Sequence, residues 1–167
     1  DITARRARGA EQDGRVDAIW RSQAVIEFDL KGNILDANDN FLSVMGYSLA
    51  ELKGQNHRMF VEADYARSAD YQEFWRELGR GNFVAQQFKR IAKGGRTVWI
   101  QASYNPIFDP DGNPYKVVKY ATDITEQIEL LDDLKEMIDV NFAEIDHNLH
   151  DLDDQANHAY RTSEETS

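Results

Sequence analysis

Four histidines, three tryptophans and many carboxylates are the side chains of this 167-residue chain that could do chemistry, and it has no cysteine. Without a thiol there is no disulfide framework, no thiolate metal site and no cysteine nucleophile. His147, His150 and His158 lie in an acidic C-terminal stretch. His150 and His158 flank Asp154 at steps of four, but ligands spread over two turns of one exposed helix do not converge on a single ion, so this reads as a solvated face. His57 is the only histidine in the rest of the chain, within Gly54-Gln55-Asn56-His57-Arg58-Met59-Phe60. An imidazole there either bonds the backbone of a turn or faces a pocket. Trp75 and Trp99 either fill a core or border a pocket. No phosphate-cradling glycine loop, no nucleophile beside a base and no carboxylate pair at catalytic spacing occurs, so the chain is not expected to be an enzyme.

The elements that must position these residues follow from charge and periodicity. The formal net charge is −11, which disfavours wholesale binding to nucleic acid or an anionic membrane. No apolar run approaches the roughly 18 residues that span a bilayer, so no membrane insertion is expected and a cytoplasmic segment is the simplest reading. From Asp123 to Ser167 there are fourteen acidic residues against Lys135 and Arg161, which leaves the first 122 residues at +1. That asymmetry separates a nearly neutral body from an acidic tail.

In the tail, alternating steps of four and three pick out Ile124, Ile128, Leu131, Lys135, Ile138, Phe142, Ile145, Leu149, Leu152, Ala156 and Ala159. All but Lys135 are apolar. A sustained 3.5-residue period is a coiled-coil seam, and about 35 residues make a rod about 50 Å long. The alternative is an amphipathic helix folded back on its own domain.

In the body, Ala24 to Leu30 alternates apolar and polar, Lys31-Gly32-Asn33 is turn chemistry, and Ile34 to Ala37 resumes a strand. Helices are expected over Asn40 to Met45, capped by Asn38 or Asp39 and stopped at Gly46, over Leu49 to Lys53 and, behind a Ser68 cap, over Ala69 to Gly79. Phe83 to Ala92, Thr97 to Ile107 and Tyr115 to Ile124 read as strands joined by Gly-rich turns. Strands and helices segregated along the chain indicate an α+β fold with an antiparallel sheet. Asp1-Ile2-Thr3 echoes Asp123-Ile124-Thr125 at a spacing of 122 residues, which suggests a tandem array of one module.

This order of elements resembles a PAS sensor domain. The matching words are Asp36-Ala37-Asn38, Asn40-Phe41, Met45-Gly46-Tyr47, Glu51-Leu52-Lys53-Gly54, Phe74-Trp75, Lys93-Gly94-Gly95 before Trp99, Asn105-Pro106-Ile107, Asp111-Gly112 and Asp123-Ile124-Thr125. They are most similar to PAS modules of methyl-accepting chemotaxis receptors with tandem PAS domains. The resemblance implies a five-stranded antiparallel sheet with helices on one face around a pocket. It divides the chain into a linker helix (1–22), a PAS domain (23–125) and a signalling helix (126–167). Asp123, Ile124 and Thr125 would relay the signal from sheet to helix. The implied partners are a second copy of the chain, a neighbouring PAS domain and, through a downstream domain, a chemotaxis histidine kinase and coupling adaptor.

The segment around His57 also resembles two flavin-binding kinds of PAS domain. In light sensors a cysteine stands where His57 does, so adduct photochemistry is excluded. In aerotaxis receptors a Gly-Gln-x-His word precedes a helix bearing a tryptophan, here Trp75. On that likeness FAD is the favoured cofactor, held by Asn38, His57, Arg58, Trp75 and Trp99, with Arg58 meeting a phosphate. Val61-Glu62-Ala63-Asp64 departs from the aerotaxis word and matches it only at Asp64. Haem with His57 as axial ligand, or a PAS domain with no cofactor, are the alternatives.

Overall fold

A computed structural model describes residues 14, 15 and 17–165, with side chains as far as Ala159. It divides into two compact units, 1–125 and 126–167. The Asp1-Ile2-Thr3 echo lies outside the described residues.

The first unit contains β1 (Ala24–Phe28), β2 (Ile34–Ala37), α1 (Asp39–Met45), α2 (Leu49–Leu52), a 3-10 turn (His57–Phe60), α3 (Ala63–Ala66), α4 (Ala69–Gly79), β3 (Val84–Ile91), β4 (Thr97–Phe108) and β5 (Pro114–Asp123). The five strands form one sheet in the order β2-β1-β5-β4-β3. Every neighbouring pair is antiparallel. Strand alternation sorts β4: Val98, Ile100, Ala102 and Tyr104 are buried, while Thr97, Trp99, Gln101 and Ser103 take the other face. Against the inner face the helical segments bring Phe41 and Met45 from α1, Leu52 from α2, His57 and Phe60 from the 3-10 turn, and Tyr71 and Leu78 from α4.

Two hairpins use the same device. In Asp29-Leu30-Lys31-Gly32-Asn33 the Asp29 carboxylate accepts from the amides of Lys31 and Asn33, both at 2.9 Å. In Asp109-Pro110-Asp111-Gly112-Asn113 the Asp109 carboxylate accepts from those of Asp111 and Asn113, also at 2.9 Å. Each turn needs a left-handed residue, Gly32 and Gly112 both having φ 85°. They differ in surroundings. A Cβ on Gly32 would meet the Trp75 ring at 3.0 Å, whereas one on Gly112 would meet nothing within 4 Å. Gly112→Ala is therefore expected to cost about 1 kcal/mol of backbone strain, and Gly32→Ala about 2–3 kcal/mol because the indole must also move. Urea unfolding of the two variants checks the difference. Equal costs would mean that Trp75 yields freely.

A long helix, α5, begins at Thr125, the last residue of the first unit, and runs to Glu165, so that the second unit is this helix from Glu126 onward. Its seam residues Leu131, Ile138, Phe142, Ile145, Leu149 and Leu152 are all exposed along the single helix. A second exposed stripe, Leu130, Leu134 and Met137, runs beside them. Between residues 130 and 140 the apolar face is thus wider than the two-position seam read from the sequence. No helix among the described residues is long and apolar enough to cross a membrane.

Candidate functional site

The interior of the PAS-like unit is organised around His57. Asn56 accepts from the Arg58 amide and tightens the 3-10 turn, and the His57 amide donates to the Gly32 carbonyl at 2.8 Å. These bonds drive the imidazole fully inside. Its Nδ1 bonds the Tyr71 hydroxyl at 2.8 Å and its Nε2 the Tyr104 hydroxyl at 2.9 Å. Phe28, Trp75 and Tyr104 present ring edges to it at 5.3, 5.3 and 5.6 Å between centroids. Arg90 Nη2 donates to the Tyr104 oxygen at 3.0 Å. A phenol that accepts from a guanidinium is a stronger donor, which favours Tyr104 donating to Nε2 and Nδ1–H donating to Tyr71.

The inner sheet face also carries two basic side chains. Strand pairing sets Lys119 on β5 beside Tyr104 on β4. Its ammonium sits 4.8 Å from the Tyr104 ring centroid and 5.8 Å from that of Phe41. Arg90 lies 4.5 Å over Phe88 and donates to the Lys89 carbonyl at 3.0 Å. Both side chains are buried, and among the described residues neither meets a carboxylate. Arg90 Nε and Trp75 Nε1 are buried donors that make no hydrogen bond; the indole stands beside Tyr71 without closing one.

These surroundings fix the protonation states. Burial, then the charges of Arg90 and Lys119, hold the His57 imidazolium far below its usual pKa. Burial, then Arg90, does the same to the Lys119 ammonium. Burial pushes the Tyr71 phenol up to about 12. His57 is therefore neutral in the fold, while below about pH 6.5 the unfolded chain binds a proton that the folded one refuses. The stability it contributes is complete above that pH and falls as pH drops, by up to about 1.4 kcal/mol per unit. His57→Gln is expected to flatten the stability–pH curve between about pH 6.5 and 5 relative to the wild type. Parallel curves in urea titrations would contradict a neutral, buried imidazole.

The expected site residues separate. His57 and Trp75 come together in the cluster. Asn38 caps α1 instead: its Oδ1 accepts from the amides of Phe41 and Val25, both at 2.9 Å. Its Nδ2 donates to the carbonyls of Gln23, at 2.6 Å, and Trp20. That amide is fully used by backbone. Arg58 is exposed. Trp99 is corrected outright as a pocket contact, because alternation along β4 places it on the face opposite Tyr104. It meets the relay residues there. The Ile124 amide donates to the Trp99 carbonyl at 2.8 Å, and the Thr125 hydroxyl accepts from the Trp99 amide at 2.9 Å. Asp123 accepts from both the amide and the hydroxyl of Thr125, at 2.9 and 2.6 Å.

The sequence reading missed Tyr71, Tyr104, Arg90 and Lys119. The two charges left a signal: Arg90 lies two residues after Phe88, and Lys119 lies in Val117-Val118-Lys119-Tyr120-Ala121, each a charge in step with the inward apolar residues of its strand.

The family pattern described as the PAS fold matches residues 34–121. The chain belongs to the PAS family. Over 128 residues it is 49% identical to the biofilm dispersion protein BdlA of Pseudomonas aeruginosa, covering 77% of this chain and 31% of BdlA. It is 35% identical to the aerotaxis receptor of Escherichia coli over 79 residues, covering 47% of this chain and 15% of the receptor. The chain therefore spans less than a third of the length of either relative. An RNA-binding light-oxygen-voltage receptor superimposes with a TM-score of 0.63 at 20% identity, covering 78% of this chain and 38% of that one. That likeness is one of fold. With the PAS fold come the five-stranded antiparallel sheet and the long helix leaving it at Thr125.

Proposed function

We propose that this PAS domain is a non-catalytic sensory module of a chemoreceptor-type transducer. It reads a change in the interior around His57 and passes it through Asp123, Ile124 and Thr125 to a pair of α5 helices. One observation carries the reading. The junction is clamped to β4 at Trp99, and the next residues of that strand, Ile100, Ala102 and Tyr104, wall the interior. A displacement of the inner face would move Trp99 and, through Thr125, change how α5 starts. Kinship with an aerotaxis receptor and BdlA supports the chemoreceptor context. The partners would be a second copy of the chain, a neighbouring PAS domain and, downstream, a chemotaxis histidine kinase with its coupling adaptor.

FAD is the cofactor that the relationship suggests, and the residues present do not fit it. A flat isoalloxazine ring needs about 7 Å between flanking faces, two van der Waals contacts. The rings around His57 instead touch one another directly, with centroids 4.8 to 6.3 Å apart. The free groups are donors and cations, whereas the ring's edge carries both donors and acceptors. Haem fits no better, since both nitrogens of His57 already bond hydroxyls. An absorption spectrum of the purified protein, before and after dithionite, tests both statements. Aromatic absorbance alone is expected, and bands near about 370 and 450 nm or a Soret band would overturn one or the other.

The relay is tested by Thr125→Val. Loss of the acceptor for the Trp99 amide is expected to speed hydrogen exchange at Trp99 and in the first turn of α5 by about tenfold, with protection of β1 unchanged. Unchanged exchange at both places would remove the clamp from the account.

A further inference from the structure

The geometry points to a small organic carboxylate as the molecule this interior binds, held between Arg90 and Lys119 on the inner face of the sheet. The inference rests on the reading of this interior as the sensing site and names what is sensed. Two basic side chains, 4% and 1% exposed, stand on either side of Tyr104 with no acidic group among the described residues against either. Burying one unpaired charge is costly, and two of one sign more so, unless something of opposite charge joins them. Nothing among the described residues supplies it. Arg90 keeps Nε free, the inner tooth of a fork that matches the two oxygens of a carboxylate. Lys119 has only the faces of Tyr104 and Phe41 beside its nitrogen, and a carboxylate there would favour the ammonium that burial and Arg90 now oppose.

The walls select the rest of the ligand. Phe74 and Phe88 pack on Tyr104 at 4.8 and 5.3 Å between centroids, so the anion's surroundings are aromatic. A planar carboxylate with an apolar stem suits such walls, whereas a phosphate dianion would leave more oxygens without donors. At the surface beside β3 lies a cleft of about 310 Å³ bounded by Val61, Glu62, Tyr65, Lys89 and Ile91. Lys89 and Ile91 flank Arg90 in β3. Tyr65 packs on Tyr71 at 5.2 Å, and Tyr71 in turn bonds His57. The binding event thus occurs against Tyr104, whose hydroxyl already ties His57 to Arg90.

The test is thermal unfolding of the whole chain in sodium succinate, sodium acetate or sodium phosphate, against sodium chloride at matched ionic strength. Succinate or acetate is expected to raise Tm by about 5 °C at a hundredfold excess over its Kd, and phosphate to leave it unchanged. Lys119→Met should raise Tm without ligand, because a basic group without a partner leaves the interior, and should abolish the response to carboxylate. Arg90→Gln should abolish the response as well and serves if the first variant folds poorly. A purely structural Lys119 would give the opposite sign, a lower Tm in Lys119→Met. The inference is overturned by a flat response to both carboxylates, by a response to phosphate alone, or by a response that survives both variants. None of these outcomes touches the exchange at Trp99 and the first turn of α5, so failure of the ligand and failure of the relay are told apart.

Discussion

Tyr104→Phe is expected to cost the PAS domain about 3–4 kcal/mol, although it removes a single oxygen. That oxygen accepts from Arg90 at 3.0 Å and bonds His57 Nε2 at 2.9 Å, in a position fully closed to water. Without it an imidazole nitrogen and a guanidinium N–H are both stranded in the dry interior, and stranding a buried polar group costs more than an average hydrogen bond contributes. Tyr71→Phe is the matched comparison. It strands only the Nδ1 of His57, and Tyr71 is itself 7% exposed, so about 1–2 kcal/mol is expected. Urea unfolding at pH 7 ranks the two. Equal losses, or a Tyr104→Phe domain as stable as the wild type, would mean that the hydroxyl is not the hub of the cluster.

The second large effect concerns α5. Ile138 and Ile145 are exposed on the single helix and separated by one heptad of the seam. Paired helices would bury both, so Ile138→Asp with Ile145→Asp places two carboxylates per copy in an apolar seam. Self-association is expected to weaken by at least about a thousandfold. In sedimentation the species of twice 19.2 kDa should give way to one of 19.2 kDa. Asn148→Asp, on an exposed position off the seam, should leave the assembly intact. A double variant that sediments like the wild type would show that the seam is not what joins two copies. The wider apolar face at residues 130–140 gives a further expectation. Leu134→Asp, beside Lys135, should weaken pairing more than a seam of two positions per heptad would allow.

Much of the fold was legible because local chemistry and tertiary demand coincide. Turn residues announced the hairpins at Gly32 and Gly112, Ser68 and Gly46 bounded helices, and alternation marked β1. The short elements between α2 and α4 were harder. His57–Phe60 is a 3-10 turn and Ala63–Ala66 a single helical turn, each too brief for a period to register. The site was legible only in part. His57 stood out as the one histidine of the body, and Trp75 came with it through the resemblance to aerotaxis receptors. Trp99 suggests a pocket contact by its residue type, but the parity of β4 sends its indole outward, while its backbone amide bonds Thr125. Asn38 was read as a polar pocket residue because a cap and a ligand contact use the same amide. Arg90 and Lys119 escaped because a lone charge in a strand is ordinarily solvated, and only strand pairing showed that both point inward.

The central claim is that the state of the interior reaches the helix pair through Thr125. The absence of cysteine makes a direct measurement straightforward, since Asn148→Cys carries a spin label with no background site. Pulsed electron–electron distances between the two labels of a dimer would be recorded for the parent, for Tyr71→Phe, and for Tyr71→Phe combined with Thr125→Val. Loosening His57 through Tyr71→Phe is expected to shift the distance distribution, and Thr125→Val is expected to abolish that shift while the dimer persists. A distribution indifferent to Tyr71→Phe, or a shift of the same size with and without Thr125, would contradict the relay.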